Sequence, residues 1–274
     1  MTRFCILVVA LLCVGADIAF GGDGPPTLEA VLATEPAGDR LADGDDGGFA
    51  GEARLSAMRG AGLAFGAQGG LARRGWEIAR MLERHADRLS RIYRFRALML
   101  HEDGFTVMPP VLATTDDAFR LGRSGARAAS ARRVVRIVET GRIVSATPDW
   151  RDFLVRQWPE AVPPPAILFP QDGQEAMRWR SWLRQGWEQG TALADDIFAA
   201  DLERLNRAFE GVLLWRQSYL AGMVSAPTLE TARVAVSGHG RLVRIEETVA
   251  RLGEGARFEL RPGQWTVLPQ GPAP

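Results

Sequence analysis

The 274-residue chain contains no lysine, three histidines and two cysteines. Because it lacks lysine, it cannot form the glycine-rich phosphate loop that ends in lysine, which excludes that route to nucleotide binding. Both cysteines, Cys5 and Cys13, lie close to the N-terminus. The rest of the chain can therefore form neither a disulfide nor a cysteine-based zinc site, and its stability must come from an apolar core.

Residues that usually carry catalysis are sparse or poorly spaced. His85, His101 and His239 do not stand at metal-ligand spacing to one another, and no G-x-S-x-G motif supplies a nucleophile. Adjacent carboxylates occur in TTDD and LADD, but neighbours on a helix point about 100° apart and do not converge on one substrate. We predict a protein that is not an enzyme and holds no metal or cofactor.

The charge of the chain is balanced, with 33 basic and 33 acidic residues, which predicts no bulk attraction to nucleic acid or to an anionic membrane. The arginine-rich stretch at 120–136, RLGRSGARAASARRVVR, is a local exception. It could be a solvated helix face followed by a strand, a surface for phosphates, or a surface for an acidic partner protein. The first interpretation is favoured because no aromatic side chains are interleaved for base stacking.

The N-terminus carries the apolar run FCILVVALLCV after Arg3, followed by small residues. This pattern is typical of a secretory signal peptide and is too short for a stable membrane span. We predict a signal peptide at residues 1–20 and an exported protein. Small residues ending at Ala16 suit ordinary cleavage, whereas Cys13 offers a lipidation site that would anchor the protein to a membrane.

Composition divides the remaining chain into three parts. Residues 21–52 are rich in glycine, proline and acid, which predicts a flexible tether. Residues 53–268 are predicted to form a single α+β domain, and residues 269–274 a disordered tail. The domain is predicted to contain two helical blocks, including a long tryptophan-rich helical segment, with short antiparallel strands between and after them.

Local signals refine this prediction at four places. Gln68-Gly69-Gly70 is expected to break the first helical block. A helix is expected to begin at Thr114 or Thr115. Hairpins are expected around Glu139-Thr140-Gly141 and around Gly238-His239-Gly240.

Two glycines in the tryptophan-rich segment, within the stretch GWEQG, require an explanation. Each costs about 1 kcal/mol relative to alanine in a helix interior. Residues four apart share one helix face, so Gly186 and Gly190 would form a smooth notch beside Trp187 for a closely packed segment. The nearby tryptophans are explained either by core burial or by a protein interface. The candidate packing or interface residues are Gly69, Gly70, Trp182, Gly186, Trp187 and Gly190.

Several stretches in this order resemble the DotC family, a lipoprotein component of type IVB secretion and conjugation machines. They are LAFGAQGGLARRGWEI, FTVMPPVL, DWRDFL, AILFPQDGQEAMRWRSWLRQGWEQGTALADDIF and GMVSAP. The resemblance covers most of the chain after residue 53. It implies a non-enzymatic structural subunit of an outer-membrane core complex.

The resemblance also implies partners and a location. They are DotD-like and DotH-like envelope subunits, a homo-oligomeric ring, and a position at the periplasmic face of the outer membrane, anchored through Cys13 if that residue is lipidated. No nucleic-acid partner is expected. The alternative is a soluble periplasmic module that binds a ligand or the cell wall through the tryptophan-lined notch.

Overall fold

The computed structural model describes residues 24–35, 49–121, 128–239 and 241–266. The helices are α1 (Leu28–Leu32), α2 (Phe49–Arg84), α3 (Ala86–Ile92), α4 (Arg151–Leu154) and α5 (Gly173–Leu220). The strands are β1 (Leu100–Glu102), β2 (Phe105–Met108), β3 (Val111–Leu121), β4 (Ala128–Glu139), β5 (Arg142–Val144), β6 (Leu229–His239) and β7 (Leu242–Leu252). This mixture of long helices and short antiparallel sheets confirms the predicted α+β class.

The chain divides into two compact units, whereas a single domain was predicted for 53–268. Unit 1 combines the chain up to Trp76 with Trp158–Leu193, and unit 2 combines Glu77–Gln157 with the chain from Ala194 onward. Helices α2 and α5 each contribute residues to both units. The boundaries between the units fall after Trp76 within α2 and after Leu193 within α5. The helical periodicity of the sequence continues through both of these points, so the sequence pattern does not indicate the division.

The core of unit 1 joins α1, α2 and the first half of α5. Its buried side chains are Val31, Met58, Phe65, Phe169, Trp179 and Leu183. At its edge, Arg54 Nη1 lies 2.5 Å from Glu175 Oε1, and Arg54 Nη2 donates to the carbonyl of Phe169 at 3.2 Å. One arginine therefore links α2 both to the start of α5 and to the segment before it.

Part of the predicted 21–52 tether is helical. The α1 helix begins after Thr27, whose Oγ1 accepts a hydrogen bond from the backbone N–H of Ala30 at 3.4 Å. Val31 is 1% exposed and belongs to the core of unit 1. One short apolar turn with an N-cap suffices to dock at this point, although the surrounding composition is polar. Residues 21–23 and 36–48 of the predicted tether lie outside the described residues.

The described residues of unit 2 form three small antiparallel sheets, ordered β1–β2–β5, β3–β4 and β6–β7. The base of the β3–β4 sheet packs on the second half of α5, where Leu112, Trp215 and Val224 form a buried cluster. A second group of contacts is aromatic, with Phe209 of α5 meeting Tyr93 and Phe95 edge to face.

Three local predictions are wrong. Gln68–Gly70 lies inside an unbroken α2, since packing outweighs the helix cost of glycine. The segment expected to be helical from Thr114 is strand β3, paired with β4. The hairpin expected at Glu139–Gly141 does not form, because β5 pairs with β2. The hairpin around Gly238-His239-Gly240 is confirmed by β6 and β7.

Candidate interaction surfaces

Helices α2 and α5 run parallel within unit 1 and touch through glycines. A Cβ on Gly62 would meet the ring of Trp179 at 3.0 Å, and one on Gly66 would overlap the carbonyl of Leu183. One turn further along both helices, a Cβ on Gly70 would overlap the carbonyl of Trp187. The contacts advance by four residues on each helix, so glycine spacing on α2 matches the turns of α5.

The GWEQG notch of α5 is filled by α2. A Cβ on Gly186 would overlap the carbonyl oxygen of Leu63, and one on Gly190 would overlap the carbonyl oxygen of Ala67. Both glycines are buried. Glycine is therefore required because two helix backbones approach each other closely at these positions, as in the close glycine-mediated crossings of membrane helices.

The remaining sequence-predicted site residues lie in the same packed region. A Cβ on Gly69 would sit 3.1 Å from both the ring of Trp187 and the side chain of Val31. Trp182 and Trp187 are partly buried against the core of unit 1. The structure thus gathers these residues into internal packing of unit 1, and the notch is already occupied by the chain's own helix. Cys13 and residues 1–20 lie outside the described residues.

The most exposed apolar side chains of unit 2 include those of the β6–β7 ribbon. Its two strands pair antiparallel from Leu229 opposite Leu252 to His239 opposite Leu242. Every residue of 231–236 and 241–246 is exposed. Val236 and Val243 are each 64% exposed and Ile245 is 72% exposed. A two-stranded ribbon is at best marginally stable in water by itself, and apolar side chains at this exposure indicate an interaction surface.

The β3–β4 ribbon is built in the same way but carries charge. It contains a non-glycine residue with positive φ, Asp117 at +49°, as β7 contains Glu246 at +56°. Arg133 Nε donates to Asp116 Oδ1 at 2.7 Å, and both side chains are largely exposed. The arginine-rich stretch was expected to begin as a helix face. Its residues 120–121 and 128–136 belong instead to strands β3 and β4, and residues 122–127 lie outside the described residues.

A polar groove of about 450 Å³ lies between β3 and α5 in unit 2. Its lining includes Thr114, Glu203, Arg207 and Glu210. Nearby, the hydroxyl of Tyr93 donates to Asn206 Oδ1 at 2.6 Å. Burial raises the pKa of the Tyr93 phenol, and the negative charge of Glu210 raises it further.

The same half of α5 holds a buried carboxylate. Asp201 is 7% exposed, and its two oxygens accept hydrogen bonds from Arg156 Nε and Nη2, both at 2.9 Å. Arg204 adds a third contact at 3.1 Å. Both oxygens of this carboxylate are already engaged, so the cluster fastens the chain after α4 to α5.

Comparison with protein families decides the affiliation of the chain. The family model T4SS_TraI, described as "Type IV secretory system, conjugal DNA-protein transfer", matches residues 52–267. The chain belongs to this family. A search of curated proteins found no match.

Membership of the T4SS_TraI family corrects the resemblance to the DotC family. The type IV secretion and conjugation part of that expectation is confirmed, but the family was misassigned. The longest stretches behind the resemblance, which begin at Leu63 and Ala166, are largely the facing surfaces of the paired helices of unit 1.

The histidines and carboxylates of this T4SS_TraI family member do not gather into a metal site in the described ranges. There, no three His, Cys, Asp or Glu side chains are placed to hold a metal ion. His101 Nδ1 lies 3.2 Å from Thr106 Oγ1 across the β1–β2 pair, and His239 ends β6. None of the described helices combines the length and the apolarity needed to cross a membrane.

Sequence reasoning missed the exposed valines and isoleucine of the β6–β7 ribbon. The strands were predicted, but alternating apolar and charged residues are normally typical of a strand with one buried face.

Proposed function

We propose that the chain is a structural, non-enzymatic subunit of the envelope part of a type IV conjugation machine. In this proposal it is exported to the periplasmic face of the outer membrane. There it joins other subunits, including further copies of itself, into a core complex. The family match supports the conjugation part, and the signal-like N-terminus with Cys13 supports export and anchoring.

The observation that carries the proposal is the exposed apolar surface of the β6–β7 ribbon. Val236, Val243 and Ile245 are more than half exposed in the isolated chain. An assembly subunit needs such a surface, because burial against a partner releases about 25 cal/mol per Å² of apolar area. The ribbon therefore fits a protein whose native state is an assembly.

The structure does not favour the ligand-binding alternative. That function required an open notch lined by Trp182 and Trp187, whereas the notch beside Gly186 and Gly190 receives the backbone of α2. The family description names conjugal DNA-protein transfer, so DNA belongs to the process in which the family acts. Neutral net charge alone therefore no longer supports the expectation of no nucleic-acid partner.

The test is to extract the tagged full-length protein from its native membranes in mild detergent, measure the particle size and identify the co-purifying chains. We expect a particle many times larger than one 29.9 kDa chain, together with other envelope secretion subunits. DotD-like and DotH-like subunits are one set of partners that the experiment would identify. Recovery as a free periplasmic monomer would contradict the proposal.

The anchor is tested separately. Cys13→Ser should move the protein from the membrane fraction to the soluble periplasmic fraction, because the acyl acceptor is lost. Cys5→Ser is the matched control, since it makes the same change inside the same segment. If both variants fractionate like the wild type, the chain is held at the membrane by its partners alone.

A further inference from the structure

We propose that the β6–β7 ribbon is a self-association site in which strand β7 pairs antiparallel with β7 of a second copy. The pairing gives a four-stranded sheet in the order β6–β7–β7–β6. The inference deepens the proposed function, on which it rests, by assigning one contact, between two copies, to one strand. The partner is thus a second copy of this chain.

The first argument is the free edge. Among the described strands, β7 is hydrogen-bonded to β6 alone. Its other edge therefore presents backbone N–H and C=O groups that can pair with another strand. Residues 241–246, at the tip of the ribbon, are all exposed, so the described chain leaves the tip of this edge open.

The second argument is the apolar face of the tip. Val236 stands opposite Ile245, and Val243 is two residues from Ile245 along β7. Side chains alternate between the faces of a strand, so these three project from the same face. Two copies joined through β7 would merge their patches on one four-stranded sheet, a size at which an isolated sheet becomes stable.

The third argument is charge, which selects a second copy over an acidic or a basic partner. Residues 229–252 carry four arginines and three glutamates, so the ribbon has no strong preference for either sign. Within β7, Arg244 Nε lies 3.6 Å from Glu247 Oε1 of the same strand. In an antiparallel pair of β7 strands, the arginine of each copy can instead face the glutamate of the other.

The register follows from that pair. A two-fold axis between Ile245 and Glu246 places Arg244 of each copy opposite Glu247 of the other. The same register places Leu242 opposite Val249, which are 44% and 50% exposed. The interruption of the ladder at Glu246, whose φ is +56°, then falls at the axis in both copies. Paired backbone continues on either side of it.

The experiment is a charge-exchange test on the purified full-length chain, with self-association followed by sedimentation or light scattering. In the homodimer, Arg244→Glu sets the new carboxylate opposite Glu247 of the other copy, and Glu247→Arg sets two arginines opposite each other. Like charges directly opposite destabilise a strand pair, and each dimer contains two such pairs. We expect each variant to associate roughly tenfold more weakly than the wild type.

The decisive measurement is the mixture of the two variants. One copy then supplies only glutamates and the other only arginines at these positions, so both intermolecular pairs are restored. Each chain still carries like charges at 244 and 247 within its own strand. Recovery of association on mixing is therefore expected only if the two positions face each other across the copies. Arg136→Glu, the same charge change on the exposed β3–β4 ribbon, should leave association unchanged.

Three outcomes would overturn the inference. They are a wild-type chain that stays monomeric at high concentration, variants that associate as well as the wild type, and a mixture no stronger than either variant alone. The charge-exchange test uses only the purified chain. A negative result would therefore not contradict co-purification with envelope subunits. Conversely, a protein that does not co-purify with envelope subunits could still pair through β7. The two proposals can therefore be contradicted independently.

Discussion

Gly190 of α5 lies so close to the carbonyl oxygen of Ala67 in α2 that a methyl group on Gly190 would overlap it. The two helices are therefore held at a separation that only a glycine permits. The same relationship joins Gly186 to the carbonyl of Leu63 one turn earlier. The spacing of four residues in GWEQG is the spacing of these two backbone contacts.

Gly190→Ala should destabilise unit 1 although alanine is the better helix former. The new Cβ must push apart two helix backbones, which we expect to cost about 2–3 kcal/mol. The free energy of unfolding, measured by denaturant titration with circular dichroism, is the readout. Gly190→Leu, which adds more atoms at the same contact, should cost more.

Gly60→Ala is the matched control for that substitution. Gly60 also lies within a long helix, but a Cβ there would meet nothing within 4 Å. It should stabilise the protein by about 0.5–1 kcal/mol through helix propensity alone. If Gly190→Ala and Gly60→Ala stabilise the protein equally, the helices do not approach each other closely at Gly190.

Asp201→Asn should lower the free energy of unfolding of unit 2. The carboxylate is 7% exposed and accepts three hydrogen bonds from Arg156 and Arg204. Both arginine side chains are about half exposed, so solvent screens part of the loss. We expect a cost of about 1–2 kcal/mol.

Asp116→Asn is the comparison, because Asp116 pairs with Arg133 on the exposed β3–β4 ribbon. Its effect on stability should be below about 0.5 kcal/mol. Equal losses for the two variants would mean that Asp201 does not act as a buried link between the chain after α4 and α5.

Tyr93 should ionise above the usual phenol pKa near 10. Burial disfavours the charged phenolate, and Glu210 repels it. Because the folded state holds this proton more tightly than the unfolded state, its contribution to stability is present below the unfolded pKa and is lost as the pH rises through the folded pKa.

The measurement is an absorbance titration of the Tyr219→Phe variant, in which Tyr93 is the only tyrosine. Adding Glu210→Gln should move the Tyr93 pKa downward, since one of its two causes is removed. A titration midpoint below 10 in the folded protein would show that the phenol is solvated.

Trp150→Phe should cost stability through both volume and hydrogen bonding. The Trp150 side chain is 2% exposed, and its Nε1 donates to Ser90 Oγ at 3.0 Å. We expect a loss of about 2–3 kcal/mol in the free energy of unfolding. In a double-mutant cycle with Ser90→Ala, the two losses should fall short of additivity by about 1 kcal/mol. Strict additivity would mean that the indole and the hydroxyl do not interact.

The sequence predicted those elements whose pattern is local. The long tryptophan-rich helical segment was expected and is observed at Gly173–Leu220, because its apolar residues recur at helical spacing over many turns. The break expected at Gly69-Gly70 failed for a physical reason. The local cost of glycine is offset by packing against a second helix that stands far away in sequence.

Strand pairing was predictable only where a turn joins the two strands. The β6–β7 hairpin was found through its Gly-His-Gly turn. By contrast β5 pairs with β2 across the whole β3–β4 ribbon, and no local signal encodes that choice. The exposed apolar face of the β6–β7 ribbon was not predicted for the same reason. Whether a strand face is exposed depends on which distant elements pack against it.

The parallel pairing of α2 with α5 also determines the order in which the protein can fold. Arg54 and Glu175, which meet at the start of the helix pair, are 121 positions apart in sequence. Unit 1 cannot complete its core until residues 77–157, which belong to unit 2, have been made. Such non-local closure is slow, because chain entropy must be lost before any contact is gained. Until the first half of α5 has been made, the glycines of α2 have no partner helix, and we expect a newly made chain to be open to proteolysis at this stage.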